Sequence, residues 1–180
     1  MFFTPLHKLP PEERRQREDA SLEPKLRPIN ASTLLAKAAL SAVLETPAAL
    51  RSTEKLAPHQ LAIGVSRGVE KLVHICRAAH ANGWLVGRND FTNGFNSLSR
   101  QKMLDANCAL FPESVDVFNL LYGVDSPILL FNDDLEVSLL TSSEGPRQGC
   151  AAGTHAFALS VQPLLVDLQT KYPQFEIRDR

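Results

Sequence analysis

The sequence predicts an α+β fold, because patterns typical of helices and patterns typical of strands both recur along its 180 residues. The clearest strand signal is two apolar runs, residues 128–131 and 135–140, which flank turn residues at 132–134 and predict a β-hairpin over residues 127–141. The clearest helix signal is the apolar periodicity of residues 153–170, and we expect that helix to pack on the sheet.

Composition bounds the class of protein. The chain is 44% hydrophobic and 22% charged, with a net charge of −1, which is ordinary for a soluble globular protein. No apolar run approaches the roughly 20 residues that span a bilayer, and the N-terminus does not resemble a secretory signal. The three cysteines, Cys76, Cys108 and Cys150, are widely spaced and suit a reducing compartment. We therefore expect an intracellular protein, cytoplasmic or nuclear, that is neither secreted nor bound to a membrane.

The N-terminal part begins with mixed charges and then becomes ordered. Residues 1–24 lack an apolar face and are predicted to be an exposed helix or a disordered lead-in. Arg27 precedes a proline, so its backbone is expected to be extended. Ser32 or Thr33 can then cap a helix that continues to Leu44.

This first helix has an apolar stripe. Leu35, Ala39 and Val43 repeat at i, i+4 and i+8, and are predicted to face the core. Thr46 precedes a proline, so the helix is expected to end there and a loop to follow. A second helical pattern covers residues 69–81.

The central stretch combines a strand signal with an acidic residue. The apolar start of residues 84–90 predicts a short buried strand with Asp90 at its end. A polar turn follows at residues 92–96, and Ser97 can cap the next helix. An aspartate between a strand and a helix is well placed to hold a metal or a substrate. The alternative is that Asp90 only shapes the turn, since Asp favours such positions.

Two stretches of this chain resemble motifs of the reverse transcriptase family, the RNA-directed DNA polymerases of retroelements. Asp90-Phe-Thr-Asn-Gly-Phe-Asn-Ser is similar to the first palm motif of that family, and Ser143-Glu-Gly-Pro-Arg-Gln-Gly is similar to the second. Their order and their spacing of roughly fifty residues also fit. Arg27-Pro28-Ile29 and Leu34-Leu35-Ala36-Lys37 resemble the preceding finger segment. The similarity covers about residues 25–180 and is greatest to LINE-like or group II-like members.

The resemblance implies a right-hand polymerase fold, with fingers and a partial palm in which an antiparallel sheet packs on helices, and no thumb. Residues 25–82 and 111–148 would be fingers-like, and residues 83–110 and 149–180 would form part of the palm. The partners it implies are an RNA template, a DNA primer and deoxynucleotides.

The resemblance also implies roles for individual residues. Asp90 would be catalytic as a ligand of Mg²⁺, and the backbone of Phe91 would be a further metal contact. Phe95 would lie under the nucleotide sugar and exclude a 2′-hydroxyl, while Gln148 and Gly149 would line the nucleotide pocket. In the fingers, Arg27 would reach the triphosphate.

The chain departs from the family pattern near these motifs. Cys150 stands where the family commonly has Asp, and the Asp133-Asp134 pair precedes the Gln148 segment instead of following it. Since two metal ions need more than one carboxylate, we interpret the chain as an N-terminal fragment that is inactive alone. The alternatives are a catalytically dead retroelement remnant that binds nucleic acid weakly, and an α+β domain unrelated to polymerases.

A basic stretch could supply that binding. Residues 51–102 contain eight Lys and Arg against three acidic residues, a net charge of +5. Such a stretch can form a track for a phosphate backbone, although it can equally be a scattered solvated surface.

Overall fold

A computed structural model describes residues 2–7, 12, 26–31, 33–131 and 137–179. The described part contains four β-strands, seven α-helices and one short 3₁₀ helix. The predicted α+β class is therefore confirmed, whereas the division into polymerase fingers and palm stays a prediction.

The strands form one mixed sheet. In chain order they are β1 (Phe2–His7), β2 (Leu26–Ala31), β3 (Ser126–Phe131) and β4 (Val137–Ser142). Their order in the sheet is β2-β1-β3-β4. The pairs β1–β2 and β3–β4 are antiparallel, whereas β1 meets β3 in parallel where Phe2 lies opposite Leu129. The prediction of an antiparallel sheet is thus correct within each of the two pairs. It is wrong for β1 and β3, which join the pairs in parallel.

The hairpin predicted over residues 127–141 is confirmed. Ser126 lies opposite Ser142, and Phe131 lies opposite Val137. Its turn, including Asp133 and Asp134, lies outside the described residues.

The first strand was not predicted. Residues 1–24 were expected to be an exposed lead-in, but Phe2–His7 pairs along its whole length with β2. Pairing with β2 satisfies the backbone hydrogen-bonding groups of this segment. The prediction for residues 1–24 followed the mixed charges farther along and missed this strand. Arg27 lies in β2 opposite Leu6, so the prediction of an extended backbone is confirmed.

The helices begin at recognisable caps. They are α1 (Leu34–Leu44), α2 (Pro47–Glu54), α3 (Gly68–Ala81), α4 (Gly94–Ser97), α5 (Arg100–Leu110), α6 (Val115–Tyr122) and α7 (Gly153–Lys171), with the 3₁₀ helix at Pro112–Ser114. Thr33 caps α1 as predicted, since its hydroxyl accepts from the Ala36 N–H. The loop predicted after Thr46 is instead α2, which has Thr46 as its N-cap and Pro47 in its first turn.

The core lies among helices. Leu40 of α1 packs with Met103 of α5, with Phe118 and Tyr122 of α6, and with Ala156 of α7. Helix α7 packs mainly against α5, which corrects the prediction that it covers the sheet. The sequence of a helix does not show which element covers it.

The apolar stripe predicted for α1 is also wrong. Leu35 is 84% exposed, whereas Leu40 is 1% exposed. Helix α1 carries apolar residues on several sides, so periodicity alone does not select one of them. The position of α5, α6 and α7 against α1 decides that Leu40 is buried.

Residues 84–90 do not form the predicted strand. They are irregular and exposed, and Leu85 is fully exposed. Their start is tied to the end of α3, because the Trp84 N–H donates to the Ala79 carbonyl at 3.0 Å. Ser97 ends the single turn of α4, and Ser99 is the residue that caps α5. The predictions of a strand ending at Asp90 and of a cap at Ser97 are therefore wrong.

The C-terminal segment returns to the loop that follows α2. Residues 174–178 were expected to begin a strand, but they are irregular. An isolated parallel bridge joins Asp179 to Gln60, with the Leu61 N–H donating to the Asp179 carbonyl at 2.9 Å. Among the described helices, none combines the length and the apolar character that crossing a membrane requires.

Candidate functional site

The two motif segments lie against each other. The Gly145 N–H donates to the Leu98 carbonyl at 2.8 Å. Gly145 has a φ of +55°, and a Cβ at this position would overlap the carbonyl oxygen of Phe95. Glycine is therefore required here by both the backbone conformation and the close approach. This contact brings the turn that contains Phe95 beside the loop that leads to Gln148.

Arg100 holds the second segment from the first turn of α5. Its guanidinium donates to the carbonyls of Ser142, Glu144 and Gly145 at 2.6, 3.0 and 3.3 Å, and to the Ser142 hydroxyl at 2.8 Å. The Arg100 backbone N–H donates to the Glu144 carboxylate at 3.0 Å. The side chain is 5% exposed, and burial lowers its pKa, as does the nearby Arg147 cation. These bonds fix the end of β4 and the following turn to α5.

A second buried arginine lies next to Gln148. The Arg147 guanidinium donates to the Leu121 carbonyl at 2.9 Å and to the Ser126 hydroxyl. The guanidinium carbon Cζ of Arg147 lies 4.8 Å from the centroid of the Tyr122 ring, and the Cζ of Arg100 lies 5.5 Å from it. Both cations therefore contact one aromatic ring. Because Arg147 is anchored in this way, the position of the Gln148 backbone is fixed.

Tyr122 is the centre of this buried group. Burial, and next the neighbouring Cys150 thiol, raise the pKa of its hydroxyl, so the phenol stays protonated at neutral pH. The hydroxyl oxygen of Tyr122 accepts from the backbone N–H of Arg147 at 3.4 Å. We refer to Arg100, Tyr122 and Arg147 as the arginine clasp. Sequence reasoning missed it, and the signal available was an arginine three residues after the first motif and another within the second.

Three aromatic rings meet at the start of α7. The rings of Phe95 and Phe157 stack with centroids 4.9 Å apart and planes 3° apart. Phe91 meets Phe157 edge-on at 6.3 Å. Phe95 is half buried, and Phe157 covers one face of its ring. The two aromatic residues of the first motif are thus held by the helix that follows the second motif.

The predicted metal ligand lies beside these rings. Asp90 is exposed in the irregular segment and immediately precedes Phe91. The turn after it is held by other side chains, since Asn96 donates to Asn93 at 2.9 Å and Ser97 donates to the Thr92 carbonyl at 3.4 Å. An exposed carboxylate suits Mg²⁺, which keeps several waters when it binds to protein. Over the ranges that the structure describes, no group of three or more His, Cys, Asp or Glu residues could hold a metal ion.

The predicted pocket residues lie in the loop before α7. Gly149 is exposed with a φ of +93°, a conformation that favours glycine, and Gln148 is half buried. The Cys150 N–H donates to the Arg147 carbonyl at 3.0 Å and closes the turn around them. Arg27 is placed differently, because β2 lies at the opposite edge of the sheet from β4, the strand that leads into this loop.

Compared with known proteins, the chain matches no protein-family model, no curated protein and no solved structure. Its function is therefore inferred from the residues described above.

Proposed function

We propose that this chain is a segment of an RNA-directed DNA polymerase of the reverse transcriptase type, and that it binds deoxynucleoside triphosphates for two-metal nucleotidyl transfer. The observation that carries this proposal is the contact between the two motif segments. The hydrogen bond from Gly145 to Leu98 puts Phe95 of the first motif beside the loop of Gln148 in the second. A nucleotide site assembled from two distant segments needs this kind of contact.

Each residue then has a role that its surroundings allow. Asp90 offers an exposed carboxylate, and Phe91 ties the adjacent backbone to α7 through Phe157. The half-buried ring of Phe95, supported on one side by Phe157, would lie under the sugar. When bound, Mg²⁺ would supply charge stabilisation to the oxygens of the reacting phosphate.

Gln148 and Gly149 would contact the base and the template side of the nucleotide. Gly149 adopts a positive φ that favours glycine, and because glycine has no Cβ, a ligand can approach its backbone closely. Arg27 would reach the triphosphate from the far edge of the sheet, because β2 and β4 are its two edge strands.

The arginine clasp would keep this site preorganised. A binding site works best when buried partners hold its contacting residues in position. Arg100 and Arg147 do so by fixing the backbone on both sides of Gly145 and Pro146. The clasp residues would therefore be positioning residues, which do not touch the nucleotide.

The test is Mg²⁺-dependent binding of a deoxynucleoside triphosphate, measured by calorimetric titration of the chain with dATP and dGTP. We expect Asp90→Asn to weaken binding in Mg²⁺ by about tenfold or more, the loss of one charge-assisted contact. Asp116→Asn on α6 removes an equally exposed carboxylate and is the matched control. Binding that persists unchanged with chelator, or that Asp90→Asn leaves unchanged, would contradict the proposal.

The second candidate is a nucleic-acid-binding module without nucleotide chemistry. The observation that favours it is a set of exposed cations on α3 and in the segment after it, Lys71, Arg77 and Arg88. The same titration separates the two candidates. A module would bind oligonucleotides but not triphosphates.

A further inference from the structure

The structure separates the cations of the basic stretch into two groups. Arg51 pairs with Glu113 at 3.0 Å, Lys55 donates to the Leu110 carbonyl at 2.8 Å, and Arg100 is buried in the clasp. These three cations serve the fold. The basic stretch is therefore not one continuous track along residues 51–102, and any nucleic-acid contact must use the cations that are left.

The second group is concentrated on α3 and just after it. Lys71 and Arg77 of α3, and Arg88 in the irregular segment, are exposed and form no ion pair within the described ranges. Arg67, at the start of α3, makes only a long contact of 4.0 Å with the exposed Glu70. Lys71 and Arg77 are six residues apart, about 9 Å along a helix axis. Lys102, on α5, is the remaining cation of the stretch and is also exposed.

The remaining sides of α3 show how the helix lies on the protein. Leu72, Ile75, Cys76 and Ala79 are half buried, whereas Lys71 and His74 are exposed. Val69 and Val73 are 54% and 43% exposed, so the helix covers its apolar side only in part and turns its cations to solvent. A helix that lies in a membrane surface needs a continuous free apolar face, and the half-buried Leu72, Ile75 and Ala79 interrupt such a face on α3, which favours a polyanion in water over a lipid surface.

The end of α3 holds the only tryptophan of the chain in a defined place. The Gly83 N–H donates to the His80 carbonyl at 3.0 Å, and the Trp84 N–H donates to the Ala79 carbonyl at 3.0 Å. With Gly83 at a φ of +79°, these two bonds form a Schellman motif. Trp84 is nevertheless 59% exposed, so a flat aromatic surface is held directly after the exposed cations.

We infer that α3 and residues 82–88 form a binding platform for single-stranded nucleic acid. Phosphates would lie along Lys71 and Arg77, and a base would stack on Trp84. The negative end of the helix dipole disfavours phosphate at the C-terminus of α3, so a base is the part of the strand expected there. Stacking on Trp84 needs an unpaired base, which favours a single strand over a duplex. The inference rests on the proposed function for its partner class and names the surface that this partner uses.

The test measures binding of fluorescein-labelled single-stranded RNA and DNA of mixed sequence by anisotropy over a range of salt concentrations. For the double variant Lys71→Ala/Arg77→Ala, we expect weaker binding and a log–log salt slope that is smaller by about 1.4, because each contacted phosphate contributes about 0.7. The matched control is Lys37→Ala, which removes an exposed lysine from α1. An equal loss in the control, or an unchanged slope in the double variant, would overturn the platform.

The role of Trp84 is measured separately. Trp84→Ala should weaken single-strand binding roughly tenfold and leave the salt slope unchanged, since stacking releases no counterions. Trp84→Tyr should restore most of the affinity. Leu120→Ala, which truncates another exposed apolar side chain, is the control. Unaltered affinity in Trp84→Ala, or equal affinity for a duplex of the same length, would overturn the single-strand assignment.

Two further outcomes separate this inference from the proposed function. Asp90→Asn should leave single-strand binding intact, because Asp90 lies outside the platform. Triphosphate binding that Asp90→Asn leaves unchanged, together with intact strand binding, would therefore contradict the proposed function alone. Binding to anionic vesicles that exceeds binding to oligonucleotides, and that Lys71→Ala/Arg77→Ala abolishes, would assign the surface to membranes and overturn the inference.

Discussion

Phe95 stacks on Phe157 with the two ring planes 3° apart, although 62 residues of chain separate them. The stack joins the first motif segment to the helix that follows the second. It also means that truncating Phe95 removes two things, the surface proposed to lie under the sugar and an aromatic contact worth about 1 kcal/mol.

The first prediction separates these two effects. Phe95→Ala should open the space beside the sugar, so that binding of a ribonucleoside triphosphate improves relative to the deoxy form by roughly tenfold, the lower end of what one small group is worth in an apolar pocket. The measurement is the ratio of the two dissociation constants in Mg²⁺. Phe157→Leu loses the same ring stack without touching the sugar and should keep the wild-type ratio. If both variants shift the ratio equally, Phe95 does not discriminate directly.

The second prediction compares two glycines with positive φ. Gly145→Ala should destabilise the chain by about 3 kcal/mol or more, because the new Cβ would overlap the backbone of Phe95 and force the motif segments apart. Gly83→Ala meets no atom within 4 Å, so only the left-handed backbone conformation is penalised, at about 1 kcal/mol.

Urea unfolding followed by far-ultraviolet circular dichroism measures both glycine variants. The large difference between them is the expected result. Similar losses would show that the approach of Gly145 to Phe95 is not tight in solution, and would remove the main support for a joint site.

The third prediction concerns a buried histidine. The Ser52 hydroxyl donates to the Ala49 carbonyl at 2.7 Å, so its oxygen accepts from Nε2–H of His155 at 2.9 Å. Burial lowers the pKa of His155 below its ordinary value of 6.5. Between the folded and the unfolded pKa, the unfolded chain binds more protons, so stability falls as the pH drops below about 6.5.

The variant His155→Gln should lack this pH-dependent contribution to the free energy of unfolding. We expect the difference in unfolding free energy between wild type and His155→Gln to become smaller as the pH is lowered from neutral, with little change above neutral pH. His80→Gln replaces an exposed histidine of α3 and should follow the wild-type curve. Parallel curves for wild type and His155→Gln would show that His155 does not couple folding to protonation in this range.

Local chemistry could be predicted from the sequence where neighbouring residues decide it. The cap at Thr33 and the extended backbone at Arg27 depend on side chains and prolines within a few positions, and both are present. The hairpin of β3 and β4 follows from two apolar runs around turn residues.

Tertiary structure decided whatever depends on which elements meet. Leu40 rather than Leu35 is buried because of where α5, α6 and α7 lie against α1. Residues 84–90 have the composition of a strand, but a strand needs a neighbouring strand to satisfy its backbone hydrogen-bonding groups. The Trp84 N–H instead donates to the Ala79 carbonyl, which holds the start of this segment at the end of α3. The arginine clasp needs two cations to converge on Tyr122 from segments more than forty residues apart, and no local pattern specifies that convergence. Sequence determined the chemistry each segment carries, and only long-range packing determined which of these groups face one another.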